Sequence, residues 1–228
     1  MTVDLEQLAR RAGRELAFAP AQEIVRWAVQ AFGTRFAVAS SMQDAVLVHL
    51  VSQVAAGVDV LFLDTGYHFA ETLGTRDAVA ATYDVNLITL TPRQTVAEQD
   101  TWHGPKLHDH DPDLCCALRK VTPLDRALAR YDAWATGLRR AEAPGRAGTP
   151  VVSYDVKRGK VKIAPIATWT DTDVEDYIAE HGVLVNPLCS ATYPSIGCAP
   201  CTRAVAVGDH PRAGRWAGSG KTECGIHT

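Results

Sequence analysis

The fold is decided by the stretch FAVASSMQDAVLVHLVSQVAAGVDVLFLDTG, which runs from residue 36 to residue 66. Its segments 36–39 and 58–63 are apolar runs that are too short for helices and are bounded by polar residues, a pattern typical of buried strands. The apolar run 45–56 between them ends at Gly57 and predicts a helix. A strand, a helix and a second strand in this order favour an α/β fold whose mostly parallel sheet has helices on both faces.

The same alternation continues on both sides of this stretch. The remaining predicted elements are helices at 5–18, 21–32, 69–83, 115–130 and 170–181, a strand at 86–90, a strand that runs into an arginine-rich loop within 134–140, a hairpin with strands 151–154 and 160–163, and a loop at 101–113. The last segment has too few apolar residues to pack on its own. We therefore expect one α/β domain over residues 1–207 and a flexible tail over residues 208–228.

Composition narrows the class of protein. The 228 residues are 46% hydrophobic and 21% charged, close to the averages for soluble globular domains. A net charge of −3 disfavours nucleic acid as a partner, and no apolar run approaches the roughly 18–20 residues of a membrane span. The start, Met1 to Glu6, lacks the basic and apolar regions of an export signal. We expect a cytoplasmic protein without a nucleic-acid or membrane partner.

Two polar turns follow the first two predicted strands. Residues 40–44 follow the first strand and residues 64–66 follow the second. In parallel sheets, ligands bind outside the carboxyl ends of the strands, and a turn that leads into a helix favours an anion. Such turns are common in α/β proteins, so this pattern alone is a weak indication of a phosphate site.

Four cysteines form the most specific pattern in the chain. Cys115 and Cys116 are adjacent, and Cys198 and Cys201 form a Cys-x-x-Cys motif. Four thiolates suit either a tetrahedral zinc ion or a 4Fe–4S cluster, and six cysteines in a chain without an export signal favour metal or redox chemistry over disulfides. Adjacent side chains diverge on a helix. That divergence favours a cluster, which offers separate irons to separate sulfurs, with structural zinc as the alternative.

A fifth cysteine and several cations complete the candidate site. Cys224 lies on a glycine-flanked tail, where nearby cations or a protonated His227 would lower its pKa and keep it a thiolate. The alternative is an incidental thiol, and Cys189 is interpreted as structural. The cations available for an anionic ligand are Lys120, Arg139, Arg140, Arg146, Arg212 and Arg215. Each alone is more often a solvated surface charge, but Arg212 and Arg215 lie between the Cys-x-x-Cys motif and Cys224.

These motifs together resemble the assimilatory adenylylsulfate (APS) reductases. The resemblance rests on the cysteine pattern, on the turn LDTG at 63–66, on RAGRW at 212–216 and on ECGIH at 223–227, and it extends from about Phe36 to the carboxyl terminus. It implies an adenine-nucleotide α-hydrolase-like fold and a 4Fe–4S cluster on Cys115, Cys116, Cys198 and Cys201. It also implies a thioredoxin-dependent reaction in sulfate assimilation and cysteine biosynthesis, in which Cys224 attacks the sulfur of APS, AMP leaves, and a thiosulfonate remains until thioredoxin releases sulfite.

The resemblance also assigns substrate contacts by matching position. The implied contacts are Ser40, Ser41 and Asp44 in the phosphate-side loop, Thr65 and Gly66 in the second turn, Lys120 between cluster and substrate, Arg146 in an arginine loop, and Arg212, Arg215 and His227 near the tail. Many relatives have Ser-Gly where this chain has Ser40-Ser41, and the added Cβ narrows the approach of the backbone to phosphate. APS and thioredoxin are the expected partners, and homo-oligomerisation is left open.

Three other functions remain alternatives. The first is reduction of 3′-phosphoadenylylsulfate (PAPS), although PAPS-specific relatives typically lack the four cluster cysteines. The second is a zinc-stabilised nucleotide-binding module with an inert Cys224. The third is an ATP-pyrophosphatase that thiolates RNA, which would normally carry Ser-Gly-Gly in the loop and a more basic surface than this chain has.

Overall fold

A mixed sheet organises the chain in the computed structural model, which describes residues 4–206 and 208–227. Its strands are β1 (Phe36–Ser40), β2 (Val58–Leu63), β3 (Val85–Leu90), β4 (Ala133–Thr136), β5 (Val152–Asp155) and β6 (Lys160–Ile163). They lie in the order β3-β2-β1-β4-β6-β5, and the pairs are parallel except for the antiparallel β5–β6 hairpin at the edge. The predicted parallel sheet and the predicted hairpin are confirmed.

Helices cover both faces of the sheet. They are α1 (Leu5–Glu15), α2 (Ala21–Phe32), α3 (Val46–Ser52), α4 (Ala70–Thr82), α5 (Val96–His103), α6 (Leu107–His110), α7 (Pro112–Cys116), α8 (Thr122–Leu128) and α9 (Asp171–His181). Side chains of β1 alternate between two cores: Val38 packs with α1, α2 and α3, whereas Ala37 packs with Leu124 and Leu128 of α8. None of the helices in the described part of the chain has the length and apolar character needed to cross a bilayer.

One sequence expectation was wrong. Residues 101–113 do not form a loop, because they contain the end of α5, all of α6 and the start of α7. The Asp111 carboxylate accepts a hydrogen bond from the Leu114 amide at 2.9 Å, and Pro112 occupies the first turn of α7. These local signals begin a helix that is too short to show apolar periodicity.

The predicted helix over 115–130 is present but not continuous. A π-helical segment, Ala117–Val121, separates α7 from α8 directly after the two adjacent cysteines. A π-helical turn carries one more residue than an α-helical turn, so it changes the direction in which the following side chains point, and such turns occur frequently at functional sites.

The carboxy-terminal segment lies against the domain. Polar backbone contacts attach it: the Trp216 amide donates to the Cys201 carbonyl oxygen at 3.0 Å, and the Arg203 amide donates to that of Gly214 at 2.9 Å. Both Trp216 and Cys224 are buried. The segment is therefore held by hydrogen bonds and ion pairs that its low apolar content does not reveal. The division at residue 207 into a domain and a flexible tail stays a prediction, and residues 1–3, 207 and 228 lie outside the described residues.

Candidate active site

A large cleft opens at the carboxyl ends of the parallel strands. Its open volume is about 1280 Å³, and it lies where β1, β2 and β4 end in Ser40, Leu63 and Thr136. Of the sequence-predicted site residues, those that line the cleft are Ser40, Ser41, Asp44, Lys120, Arg146, Arg212, Arg215, Cys224 and His227. The structure thus brings together residues from four separate parts of the chain.

Two predicted substrate contacts lie elsewhere. Thr65 lines a second, smaller cavity next to the cleft, and Gly66 lines neither space. Gly66 has a φ of +73°, and a Cβ there would lie 3.1 Å from the Arg119 guanidinium. The positive φ of this turn and the close approach of Arg119 explain why residue 66 is a glycine. A nucleotide contact at Thr65 or Gly66 stays a prediction.

The second cavity is lined by all four cysteines of the predicted metal site. Its other lining residues are Thr65, Tyr67, His108, Pro112, Arg119, Lys120, Pro200 and Trp216. The Thr65 hydroxyl lies 3.3 Å from the Cys198 sulfur. Burial, together with the neighbouring Cys198 and Cys201 thiols, raises the pKa of Cys115 to about 12. Four thiols in one closed space would repel one another as thiolates unless a cation were bound between them.

The arrangement of the thiols bears on which cofactor they suit. Cys115 faces Cys198 and Cys201, whereas Cys116, one residue on, faces Cys224, with which its thiol shares a hydrogen bond. Within residues 4–206 and 208–227, no three His, Cys, Asp or Glu side chains converge closely enough to hold one ion. Four thiols around one cavity fit the donor set of a 4Fe–4S cluster. The 4Fe–4S cluster stays a prediction that these residues fit.

Arg119 supports the cysteine cavity from behind, a role that the sequence did not reveal. This buried guanidinium donates to the Thr65 carbonyl oxygen, to the Gln94 carbonyl oxygen at 3.3 Å and to the Gln99 side chain at 3.0 Å. It also lies 5.2 Å from the centre of the Tyr67 ring. The contacts join the turn after β2 to α5 and to the π-helical segment. Arg119 therefore fixes the wall that carries Thr65.

Lys120 lines both spaces and so connects the cysteines to the cleft. Burial lowers the pKa of its ammonium, but the neighbouring thiols of Cys198, Cys224 and Cys116 raise it by more, and the net pKa is above the ordinary value. Lys120 therefore remains a cation. Its position allows one charge to act on the cysteine cavity and on an anion in the cleft.

Cys224 lies at the boundary of the two spaces and is 7% exposed. A hydrogen bond with the Cys116 thiol lowers the pKa of Cys224, and Lys120 and Lys221 act in the same direction. Burial opposes them, and the resulting pKa is about 5. A lowered pKa favours the thiolate form, which is the form that acts as a nucleophile.

Arg215 is placed by a tight local structure. One of its NH groups donates to the Ser195 hydroxyl and to the Ile196 carbonyl oxygen, both at 3.2 Å, while its Nε is buried without a partner among the described residues. A Cβ on Gly197 would lie only 2.2 Å from the guanidinium. The guanidinium also lies 4.6 Å from the centre of the Trp216 ring, which forms one side of the Arg215 site. An unpartnered Nε in a cleft wall is a donor for an anionic ligand.

Arg146 and Arg212 are joined through Glu223, which the sequence analysis did not assign a role. The Arg146 guanidinium donates to both Glu223 oxygens, at 2.6 and 2.7 Å, and an Arg212 nitrogen lies 3.3 Å from one of them. Burial raises the pKa of Glu223, but Arg146 and Arg212 lower it further, so the carboxyl remains an anion. A charged residue directly before the tail cysteine was the available signal in the sequence.

His227 closes the far side of the cleft. Its ring is parallel to that of Trp134 at a centroid distance of 6.3 Å, and its carbonyl oxygen accepts a hydrogen bond from Lys162 at 3.2 Å. Burial lowers the pKa of the imidazole well below its ordinary value, and the nearby Lys162 contributes to this shift. Of the two expected sources of positive charge near Cys224, the lowered pKa disfavours a protonated His227 and leaves the neighbouring cations Lys120 and Lys221.

The loop after β1 faces the cleft with polar groups. The Ser40 hydroxyl accepts a hydrogen bond from the Met42 amide at 3.3 Å, and the Asp44 carboxylate accepts one from the Val46 amide at 3.0 Å at the start of α3. The left-handed residue of the loop is Met42, with a φ of +58°, and not Ser41. Ser41 thus fits the loop without adopting a conformation that favours glycine.

Comparisons with known proteins agree with this geometry. Residues 34–204 match the family model described as the phosphoadenosine phosphosulfate reductase domain. The adenosine 5′-phosphosulfate reductase of Streptomyces coelicolor is 67% identical over 99% of this chain and 96% of its own length. The protein of the same name from Mycobacterium tuberculosis is 51% identical over 98% of this chain and 94% of its own length.

Structural comparison supports the same assignment. The crystal structure of phosphoadenylyl-sulfate reductase from Candida auris, a phosphate complex, has a TM-score of 0.76 at 28% identity, over 90% of this chain and 99% of that one. An FMN adenylyltransferase from Candida glabrata has a TM-score of 0.56 at 9% identity, a likeness of fold alone that agrees with an adenine-nucleotide α-hydrolase-like architecture. On these grounds the chain belongs to the phosphoadenosine phosphosulfate reductase domain family.

Proposed function

We propose that this chain reduces APS to sulfite and AMP with electrons from thioredoxin, through a thiosulfonate on Cys224. The observation that carries the proposal is the position of the Cys224 thiolate in a cleft that also contains Lys120, Arg146, Arg212 and Arg215. A sulfur nucleophile beside several cations suits attack on a sulfate group. The curated relatives at 51% and 67% identity are named as reductases of this substrate.

The first step uses groups that are present in the cleft. The Cys224 sulfur attacks the sulfur of APS, a new S–S bond forms, and the bond from sulfur to the bridging phosphate oxygen breaks. AMP leaves with that electron pair as its phosphate. Attack by a Cys224 thiolate needs no general base, and the lowered pKa of Cys224 favours that form. The product on the chain is Cys224–S–SO₃⁻.

The cations stabilise the charge that this step moves. Lys120 lines both the cleft and the cysteine cavity, and Arg215 lines the cleft with a buried Nε that has no partner in the described residues. Preorganised donors directed at developing charge commonly contribute several kcal/mol to a rate. We assign Lys120 and Arg215 to the sulfate oxygens, and Arg146 and Arg212 to the anionic groups of the nucleotide.

Thioredoxin completes the reaction with two electrons. One thiolate of its dithiol attacks the Cys224 sulfur, and sulfite leaves with the electron pair of the S–S bond. The second thioredoxin thiolate then breaks the mixed disulfide, which restores the Cys224 thiolate and leaves thioredoxin oxidised. In the structure Cys224 is 7% exposed, so the tail must move to meet a protein partner. The choice of thioredoxin and the cytoplasmic location stay predictions.

The four remaining thiols would hold the predicted cluster. Cys115, Cys116, Cys198 and Cys201 supply four sulfur donors around one cavity, and Thr65 offers a hydroxyl to the Cys198 sulfur. Bound there, a 4Fe–4S cluster would supply a local charge distribution that orients Lys120. Thioredoxin provides both electrons, so the cluster is not needed as an electron donor in this scheme.

PAPS reduction is the second candidate, because the Candida auris relative is named for that substrate. PAPS carries an additional 3′-phosphate, which would need a further cation. Arg139 lines the cleft, but it lies 2.8 Å from an Asp171 oxygen and 4.0 Å from a Glu142 oxygen. APS is favoured because the curated relatives at 51% and 67% identity are named for that substrate, whereas the relative named for PAPS is 28% identical.

An assay of sulfite release tests the proposal. Purified protein with thioredoxin is given APS or PAPS at equal concentration, and we expect APS to be favoured by at least about tenfold in kcat/KM, or roughly 1.4 kcal/mol. Equal kcat/KM values for APS and PAPS would show that the protein uses both substrates. No sulfite from either nucleotide would contradict the proposed activity.

A further inference from the structure

Two carboxylates occupy every nitrogen of the Arg146 guanidinium. Nε and one NH₂ group donate to the two oxygens of Glu223, at 2.6 and 2.7 Å, and the other NH₂ group donates to Glu142. These contacts use three of the five N–H donors of Arg146, and Glu223 fills the Nε–NH₂ edge, one of the edges at which an arginine binds an oxyanion with two parallel hydrogen bonds. A phosphate or sulfate can therefore bind this edge of Arg146 only after Glu223 leaves it.

Glu223 is the carboxylate that can leave. Glu142 belongs to the domain, and its side chain also accepts a hydrogen bond from the Arg139 amide of its own turn at 3.2 Å. Glu223 belongs to the carboxy-terminal segment and is held by the side chains of Arg146 and Arg212. Moving Glu142 would disrupt a turn of the domain, whereas moving Glu223 would exchange ion pairs only.

Release of Glu223 would not detach the end of the chain. The Ile226 carbonyl oxygen accepts a hydrogen bond from Arg158 at 3.2 Å, and that of His227 accepts one from Lys162 at the same distance. The His227 ring also lies against Trp134. Cys224 therefore lies between an exchangeable ion pair at Glu223 and separate attachments at residues 226 and 227.

We propose that Glu223 is a positioning residue that takes the place of a nucleotide anion on Arg146, and that nucleotide binding displaces it. This inference rests on the proposed function and adds how the same site is regulated. Without nucleotide, Glu223 neutralises Arg146 and holds Cys224 next to Cys116. When nucleotide is present, its anionic group binds the Arg146 guanidinium in place of Glu223. The backbone at Cys224 can then move towards the reacting sulfur.

The exchange is physically reasonable because one anion replaces another. Arg146 is 12% exposed at its side chain, so departure of Glu223 alone would leave the Nε edge of the guanidinium buried without an acceptor, although Glu142 would remain paired. A phosphate or sulfate that replaces Glu223 supplies the acceptor oxygens that this edge would otherwise lose. The released Glu223 carboxylate moves towards solvent, where it is hydrated.

Binding of nonreactive anions tests the proposal without turnover. In the full-length holoprotein, Glu223→Gln removes the competing charge, so we expect AMP or inorganic sulfate to bind roughly three- to tenfold more tightly by calorimetry. Glu175→Gln, on the exposed side of α9, is the matched control and should leave both affinities unchanged. In the Arg146→Ala background, Glu223→Gln should give little or no gain, because the site of competition is gone. Unchanged or weaker binding of both probes to Glu223→Gln would overturn the proposal.

Hydrogen exchange of the wild-type protein provides a second measurement that needs no variant. We expect AMP or sulfate to accelerate amide exchange in the carboxy-terminal peptide that contains residues 221–225, towards the rate seen in Glu223→Gln. Slower exchange with both probes would show that Glu223 stays paired, and would overturn the proposal. Both measurements are independent of sulfite production. Failure of the APS assay would therefore contradict the proposed function while leaving these results to decide the role of Glu223.

Discussion

The cysteine cavity and the cleft adjoin each other, but arginines stabilise them in opposite ways. Behind the cysteine cavity, Arg119 donates to two backbone carbonyl oxygens and to an amide side chain, all of which belong to the domain. In the cleft, Arg146 and Arg212 pair with a carboxylate on the carboxy-terminal segment. Neutral partners within the domain make the first arrangement a permanent part of the fold. A charged partner on a separate segment makes the second one replaceable by a substrate anion.

The largest effect is expected from removal of the nucleophile in the cleft. Without thioredoxin, APS should release about one AMP per active site and then stop, with the sulfur retained on the peptide that contains Cys224. Cys224→Ser should abolish this burst, because a serine hydroxyl is far less ionised than a thiol at neutral pH. Rapid-quench measurement of AMP, with mass spectrometry of the adduct, checks this prediction. An adduct on Cys189 instead would show that a different sulfur reacts.

The next largest effect is expected from substitution of cysteines in the cysteine cavity, which leaves the cations of the cleft in place. The cluster hypothesis predicts a brown, iron-containing wild-type protein. Cys115→Ser and Cys116→Ser should each lack the iron and the colour and should be less stable, because loss of one ligand exposes the remaining site. Cys115 is the sharper test, since Cys116 also contacts Cys224. Iron content and visible absorption near roughly 400 nm are the measurements.

Two outcomes separate the cofactor hypotheses. Cys189→Ser is the matched control, because Cys189 does not line the cysteine cavity, and it should keep both iron and colour. Stoichiometric zinc without iron in anaerobically purified wild-type protein would contradict the cluster and favour the structural-zinc alternative.

Arginine variants in the cleft should have smaller effects and should leave the cysteine cavity intact. Arg212→Ala or Arg215→Ala should each cost about 2–4 kcal/mol in kcat/KM for APS, because each removes a charge from a partly desolvated anion site. Iron content should not change. Gly197→Ala should reduce activity in the same direction as Arg215→Ala, since its Cβ would meet the guanidinium at 2.2 Å. Normal turnover of either alanine variant would show that this arginine does not stabilise the reacting anion.

The same contrast explains what the sequence could predict. The strand at 58–63 was placed at its observed bounds, and the capping box at Thr170 and Asp173 begins α9, because these signals lie within a few adjacent residues. The four cysteines were grouped by their pattern, and the structure puts them around one cavity. Local signals were therefore sufficient for these elements, whereas the cysteine set was recognised from its residue type and motif spacing.

Long-range pairing was not predictable in the same way. Glu223 and Arg146 are 77 residues apart in the chain, and no local pattern relates them. Likewise, the tail is held by hydrogen bonds from two cations of the β5–β6 hairpin, Arg158 in its turn and Lys162 on β6. The apolar residues of the tail itself do not indicate this packing. The sequence around Arg119 does not indicate that this residue is buried, because its hydrogen-bond partners come from the turn after β2 and from the α5 region.

The smallest expected effect concerns the attachment of the chain end. Lys162 donates to the His227 carbonyl oxygen at 3.2 Å and lies 5.3 Å from the centre of the Trp134 ring. Lys162→Ala removes one charge-assisted hydrogen bond, so the docked arrangement should lose about 1 kcal/mol, and the rate of the AMP burst should fall roughly fivefold. The burst amplitude and the iron content should stay the same, because Cys224 and the cysteine cavity are unaltered. Lys160→Ala, two residues earlier on β6, is the matched control and should release AMP at the wild-type burst rate. If both variants burst at that rate, the chain end would be held by the other attachments alone, and the hydrogen bond from Lys162 would contribute nothing measurable to the position of Cys224.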